Sequence, residues 1–69
     1  MKNFKINIRT FGRMELAQQY FPNITKRAAW KKLKLFLNSY PETASLTQLQ
    51  RRSFTPAEVL TIIQCLGEP

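Results

Sequence analysis

The chain has no histidine and no aspartate, a single cysteine (Cys65) and two glycines (Gly12 and Gly67). Without histidine or a second cysteine, an intramolecular disulfide and a Cys/His zinc site within one chain are excluded. General acid–base catalysis calls for a histidine or a carboxylate pair in a cleft. The only acids are four scattered glutamates, Glu15, Glu42, Glu58 and Glu68. Two isolated glycines cannot form a glycine-rich phosphate loop. No apolar run reaches the length of a membrane-spanning helix, and the opening Met1–Arg9 never becomes the apolar stretch of a signal peptide. These shortages point away from an enzyme and away from a cofactor, a metal, a small-molecule substrate or a membrane. A lone thiol suits a reducing compartment, so a cytoplasmic location is expected.

Basic residues are in excess. Eleven Lys and Arg against four acids leave a net charge of +7, a field that attracts polyanions. Hydrophobic residues make up 43% of the 69, enough for one folded domain (1–69) with a small core.

The expected order along the chain is strand, helix, turn, helix, loop, short strand, helix. Phe4, Ile6 and Ile8 alternate with Lys5, Asn7 and Arg9, the period of a half-buried strand. Thr10-Phe11-Gly12 should break that strand and lead into a first helix over 13–21 with Leu16, Ala17, Tyr20 and Phe21 on its apolar face. Pro22 stops this helix, Asn23 suits a turn, and Ile24 is expected beneath it as an apolar plug. Thr25 is placed to cap a second helix over 26–39. There Ala29, Leu33, Phe36, Leu37 and Tyr40 form the core stripe, with Trp30 at its edge. Ser39 and Glu42 have capping-box spacing around Pro41, which suggests one or two turns at 41–46. Residues 45–50 are expected as loop and 51–54 as a short strand. Thr55-Pro56-Ala57-Glu58 is the strongest local signal: a threonine cap, proline in the first turn and a glutamate placed to reach back. The last helix then runs to about Leu66, burying Val59, Ile62, Ile63 and Leu66, with Gly67 as its C-terminal cap. The fold expected is mainly α with a small β-ribbon, a winged helix-turn-helix-like three-helix domain. A plain three-helix bundle is the alternative.

Several motifs recur in a recognisable order: Glu15-Leu16-Ala17 through Tyr20-Phe21-Pro22, Leu33 to Asn38, Arg52-Ser53-Phe54-Thr55-Pro56-Ala57-Glu58-Val59, and a closing Leu66-Gly67-Glu68-Pro69. Together they resemble a bacterial family, the domain of unknown function 4248, over nearly the whole chain. That resemblance implies no activity or site. More distantly, Arg52, Phe54, Thr55, Pro56 and Glu58 resemble the basic-aromatic-Thr-Pro-acidic stretch of MerR-type and phage excisionase winged-helix domains, which implies DNA binding. Where such motifs often carry glycine four residues after a packed alanine, this chain has Phe21 followed by Pro22.

The functional candidates lie on the second helix and beside the second strand. Arg27, Lys31 and Lys34 recur at i, i+4 and i+7, a basic strip next to the core stripe. Such a strip can meet phosphates or a base edge, and it is also how a soluble helix meets water. Thr25 and Lys26 stand at the start of the same helix, the end that reaches the groove in helix-turn-helix proteins. Arg51 and Arg52 sit where a wing would grip a phosphate or protect an edge strand; Asn7 and Arg9 are lesser candidates. Trp30 suits a core anchor better than a stacking platform, and Cys65 has no activating histidine. The expectation is a double-stranded DNA-binding module using the helix at about 26–39 for recognition. The alternative is an adaptor on the same scaffold that binds a protein partner or a second copy, with outward Leu35, near Ala28 and Lys32, as its contact.

Overall fold

A computed structural model describes residues 8–69. The chain is mainly helical with a two-stranded antiparallel sheet, compatible with a small winged-helix-like domain. In order it forms β1 (Phe11–Gly12), α1 (Arg13–Tyr20), α2 (Lys26–Asn38), a single-turn α3 (Pro41–Ala44), a 3-10 turn (Ser45–Gln48), β2 (Ser53–Phe54) and α4 (Pro56–Leu66). The ribbon pairs Phe11 with Phe54 and Gly12 with Ser53. The helices and the ribbon share one core of Phe11, Leu16, Ala17, Ala29, Trp30, Leu33, Leu37, Phe54, Val59, Ile62 and Ile63.

The ribbon departs from the expected strands. Of the alternation at 4–9, residues 4–7 lie outside the described residues, and Ile8 and Arg9 are not strand. The strand falls instead on Phe11 and Gly12, the residues expected to break it. Phe11 supplies the reason, because it is buried opposite Phe54. Pairing is decided by which residues can bury a side chain against a distant partner, and local alternation does not report that. Likewise Arg51 and Arg52 bend before β2 rather than belonging to it.

The buried stripe of α2 is also rotated from the expected one. Ala29, Trp30, Leu33 and Leu37 are buried, whereas Phe36 is 47% and Tyr40 37% exposed. Trp30 is not at the edge: it is only 6% exposed and lies against Phe54, ring centroids 6.1 Å apart. The ribbon therefore covers the Trp30 side of α2 and draws the stripe toward it. Phe36 is left to stack on Phe21, with centroids 6.0 Å apart and rings 18° from parallel.

That stack explains the turn between α1 and α2. The Phe21 N–H donates to the Ala17 carbonyl at 2.9 Å, closing α1, and the ring then folds onto α2. Gln18 Nε2 donates to the Ile24 carbonyl at 3.2 Å. The chain thus turns on an aromatic contact and one amide bond, without glycine. Ile24 is exposed rather than a plug.

Beyond α2, the expected capping box at 39–42 does not form. Ser39 Oγ donates back to the Leu35 carbonyl at 3.1 Å, and Tyr40 caps α3 without a side-chain bond. The 45–48 stretch, expected as loop, is a 3-10 turn. Thr43 is the buried polar residue among the described residues, and its hydroxyl donates to the Leu37 carbonyl at 2.7 Å. The capping box of α4 forms as expected: Thr55 Oγ1 accepts from the Glu58 N–H at 3.3 Å, and a Glu58 oxygen accepts from the Thr55 N–H at 2.9 Å. α4 buries Val59, Ile62 and Ile63, while Leu66 is half-buried. Gly67 adopts φ 85°, the left-handed region that favours glycine. Its N–H donates to the Ile63 carbonyl at 2.7 Å, and its carbonyl accepts from the Tyr20 hydroxyl at 2.6 Å, tying the end of α1 to the end of the chain.

Candidate nucleic-acid interface

Seven residues were expected to form a basic face, and the structure divides them. Thr25 is exposed and occupied in capping, its hydroxyl accepting from the Ala28 N–H at 3.2 Å. Lys26, Arg27 and Lys31 are exposed on α2. Lys34 is half-buried, with its ammonium 5.8 Å from the centroid of Trp30. Trp30 and Lys34 are one turn apart, which brings the ammonium over the indole. Arg27, Lys31 and Lys34 thus form a strip roughly 10 Å long, given the rise of about 1.5 Å per helical residue.

Arg51 does not join it. Its guanidinium makes a two-pronged pair with Glu58, Nη1 to Oε1 at 2.9 Å and Nη2 to Oε2 at 2.6 Å, and Nη1 also donates to the Ser53 carbonyl at 3.2 Å. The pairing with Glu58 raises the guanidinium's pKa. The Glu58 carboxyl is held below its ordinary value of 4.5, chiefly by Arg51 and then by the Thr55 N–H. Arg51 is therefore committed to the capping box of α4; the spacing from Thr55 to Glu58 predicts the box, but not that the chain before β2 bends Arg51 onto it.

Arg52, next to it, has a different surrounding. Its carbonyl accepts from the Arg13 N–H at 2.9 Å, continuing the ribbon's pairing into the first residue of α1. This bond across 39 positions brings Arg52 beside Arg13, which sequence reasoning assigned only to a helix start. The Arg13 guanidinium carbon lies 5.2 Å from the Trp30 ring centroid. Arg13, Arg27 and Arg52, with Gly12, Met14 and Glu15, line one open groove of about 350 Å³. The signal that could have found Arg13 is the pairing of Phe11 with Phe54, once known.

Arg9, a lesser candidate, is also engaged. It donates to Glu15 Oε2 at 2.7 Å and to the Thr10 carbonyl at 2.7 Å, and its guanidinium stacks 3.8 Å from the Phe11 centroid. The Glu15 carboxyl is held below its ordinary value, first by Arg9 and then by the Gly12 N–H, with the charge of Lys26 adding a smaller pull. Asn7 lies outside the described residues.

A second, apolar groove of about 260 Å³ is lined by Tyr20, Phe21, Leu33, Phe36, Tyr40 and Leu66. The Lys32 ammonium sits 5.2 Å from the Phe21 centroid at its rim. Among the described residues there is no group of three or more His, Cys, Asp or Glu suited to a metal. No helix among them is long and apolar enough to cross a membrane.

The profile of a family described as a domain of unknown function (DUF4248) matches residues 7–69. No curated protein and no solved structure matches the chain. The likeness to MerR-type and excisionase domains is confirmed by none of these comparisons.

Proposed function

The chain belongs to the domain of unknown function 4248 family, and since that family brings no activity with it, we propose on physical grounds that it is a cytoplasmic DNA-binding module, with winged-helix geometry and no catalytic role. The carrying observation is the strip Arg27, Lys31 and Lys34 on α2. The ion pairs joining described residues, Arg9–Glu15 and Arg51–Glu58, leave all three cations out, on a chain of net charge +7. In this reading the strip and Lys26 take backbone phosphates while α2 lies in the major groove with its N-terminal turn toward the bases. Thr25 sets that turn. Arg52 supplies a further phosphate contact from the wing, and Arg51 stays with Glu58.

The test is a salt titration of duplex binding. The log of the binding constant should fall with log salt by about 0.9 per phosphate neutralised. Changing Arg27, Lys31 and Lys34 together to Ala should therefore reduce the slope by roughly 2–3. Arg51→Ala should leave it unchanged. A triple variant that binds with the wild-type slope would refute the face.

The adaptor alternative has one observation in its favour, the apolar groove beside exposed Phe36 and Tyr40. With Lys32 at the rim and a net charge that repels a second copy, its occupant would be an acidic protein segment carrying an apolar side chain. The same titration discriminates: no duplex binding at low salt, where phosphate attraction is strongest, favours the adaptor.

A further inference from the structure

Arg13, Arg27 and Arg52 come from three different places in the chain, the start of α1, the start of α2 and the bend before β2, yet they line a single groove of about 350 Å³. Like charges brought together on a concave surface repel, and such an arrangement is stabilised by a bound anion. The one acid lining the groove, Glu15, does not supply that anion. Its oxygens are taken by Arg9 at 2.7 Å and by the Gly12 N–H at 3.1 Å. The Arg9 charge thus offsets the Glu15 charge and leaves three guanidiniums without an acidic partner among the described residues. The Arg13 Nε is buried and has no hydrogen-bond partner among the described residues. At the entry to α1 the Gly12 N–H bonds Glu15 and the Arg13 N–H bonds the Arg52 carbonyl.

We propose that the groove formed by Arg13, Arg27 and Arg52 is a phosphate subsite, holding one phosphate group by charge-assisted hydrogen bonds from arginines of α1, α2 and the bend before β2. A planar guanidinium matches two oxygens of a phosphate at once, which suits arginine better than lysine for this task. The proposal adds Arg13 to the basic face and rests on the DNA-binding reading for the source of the phosphate, but not for its chemistry.

The experiment is a titration of the full chain with inorganic phosphate, followed by NMR of the arginine Nε–H signals and backbone amides. Sodium chloride at matched ionic strength serves as reference. The expected result is a saturable movement of the Arg13 Nε–H and of the Gly12–Met14 amides that chloride does not produce. Arg52→Ala, on an exposed side chain, should weaken the response at least tenfold. Arg13→Gln should do the same provided its amide spectrum stays folded. Arg51→Ala, which removes a cation already held by Glu58, should leave it intact. Equal movement with chloride, or an unchanged response in Arg52→Ala, would overturn the proposal. A second arm compares a duplex with hydroxyl ends and the same duplex carrying 5′-phosphates. Equal responses in the groove assign the subsite to backbone phosphates, and a response to the phosphorylated duplex alone assigns it to a terminal phosphate. Phosphate binding without any duplex binding leaves the subsite standing and removes the DNA reading. Duplex binding that depends on Lys31 and Lys34 with no phosphate response does the reverse.

Discussion

Removing the Thr55, Glu58 and Arg51 side chains one at a time separates what the last helix's capping box contributes from what its ion pair adds. Glu58 accepts from the Thr55 N–H and from both terminal nitrogens of Arg51, while its own N–H donates to Thr55 Oγ1. Replacing the capping threonine, Thr55→Ala, should cost about 1 kcal/mol. Glu58→Ala removes the return bond to the Thr55 N–H and a negative charge in the first turn, which complements the helix dipole. About 1.5 kcal/mol is expected, on the order of 6–12 °C in melting temperature for a domain of this size. Arg51→Ala should cost less than either, because the arginine is largely solvated and its attraction is screened. Once the first turn frays, the second cap group has little left to hold, so Thr55→Ala with Glu58→Ala should cost less than the two single losses together. The assay is urea and thermal unfolding followed by circular dichroism, at several pH values. The folded-state carboxyl titrates below its ordinary 4.5. Its contribution is therefore fully present above that value and is lost as pH falls through the lowered one. The gap between wild type and Glu58→Gln should hold steady at neutral pH and close in acid. A Glu58→Ala protein as stable as wild type, or a gap to Glu58→Gln that does not change with pH, would refute the reasoning.

Two further predictions test the packing. Leu33 is fully buried and Leu35, two residues on, is 70% exposed; Leu33→Ala should cost about 2–5 kcal/mol and Leu35→Ala within about 0.5 kcal/mol, read by urea unfolding. The Tyr20 hydroxyl, half-buried and near the Glu68 carboxylate, has its pKa pushed up from 10.0 to about 12, mostly by burial. The stability this represents is complete below pH 10 and is lost as pH rises toward 12, by about 1 kcal/mol after solvent screening. Tyr20→Phe should remove that alkaline slope.

The capping signals of the helices were legible because they are local. Thr25 and the Thr55-Pro56-Ala57-Glu58 block lie within one turn of the backbone donors they satisfy, so spacing alone predicts them. The strip Arg27, Lys31 and Lys34 was legible for a similar reason, since helical periodicity alone puts three such positions on one face. The last helix's core positions Val59, Ile62 and Ile63 followed from the same period. What failed were choices between near-equal faces and partners. Whether Phe36 or Trp30 anchors α2 depends on what covers each side, and the ribbon's Phe54 covers Trp30.

By itself the sequence determined helix positions, the net charge and the exclusion of histidine chemistry and of a disulfide within these 69 residues, all properties of composition or of contacts a few residues apart. Only the tertiary structure decided which arginines are available. Pairing β1 with β2 sets Arg52 beside Arg13 across 39 positions, and the capping glutamate engages Arg51 but not its neighbour. The physical reason is range: hydrogen-bond and charge partners distant in sequence are chosen by packing of the core, and no local pattern of residue types records that choice.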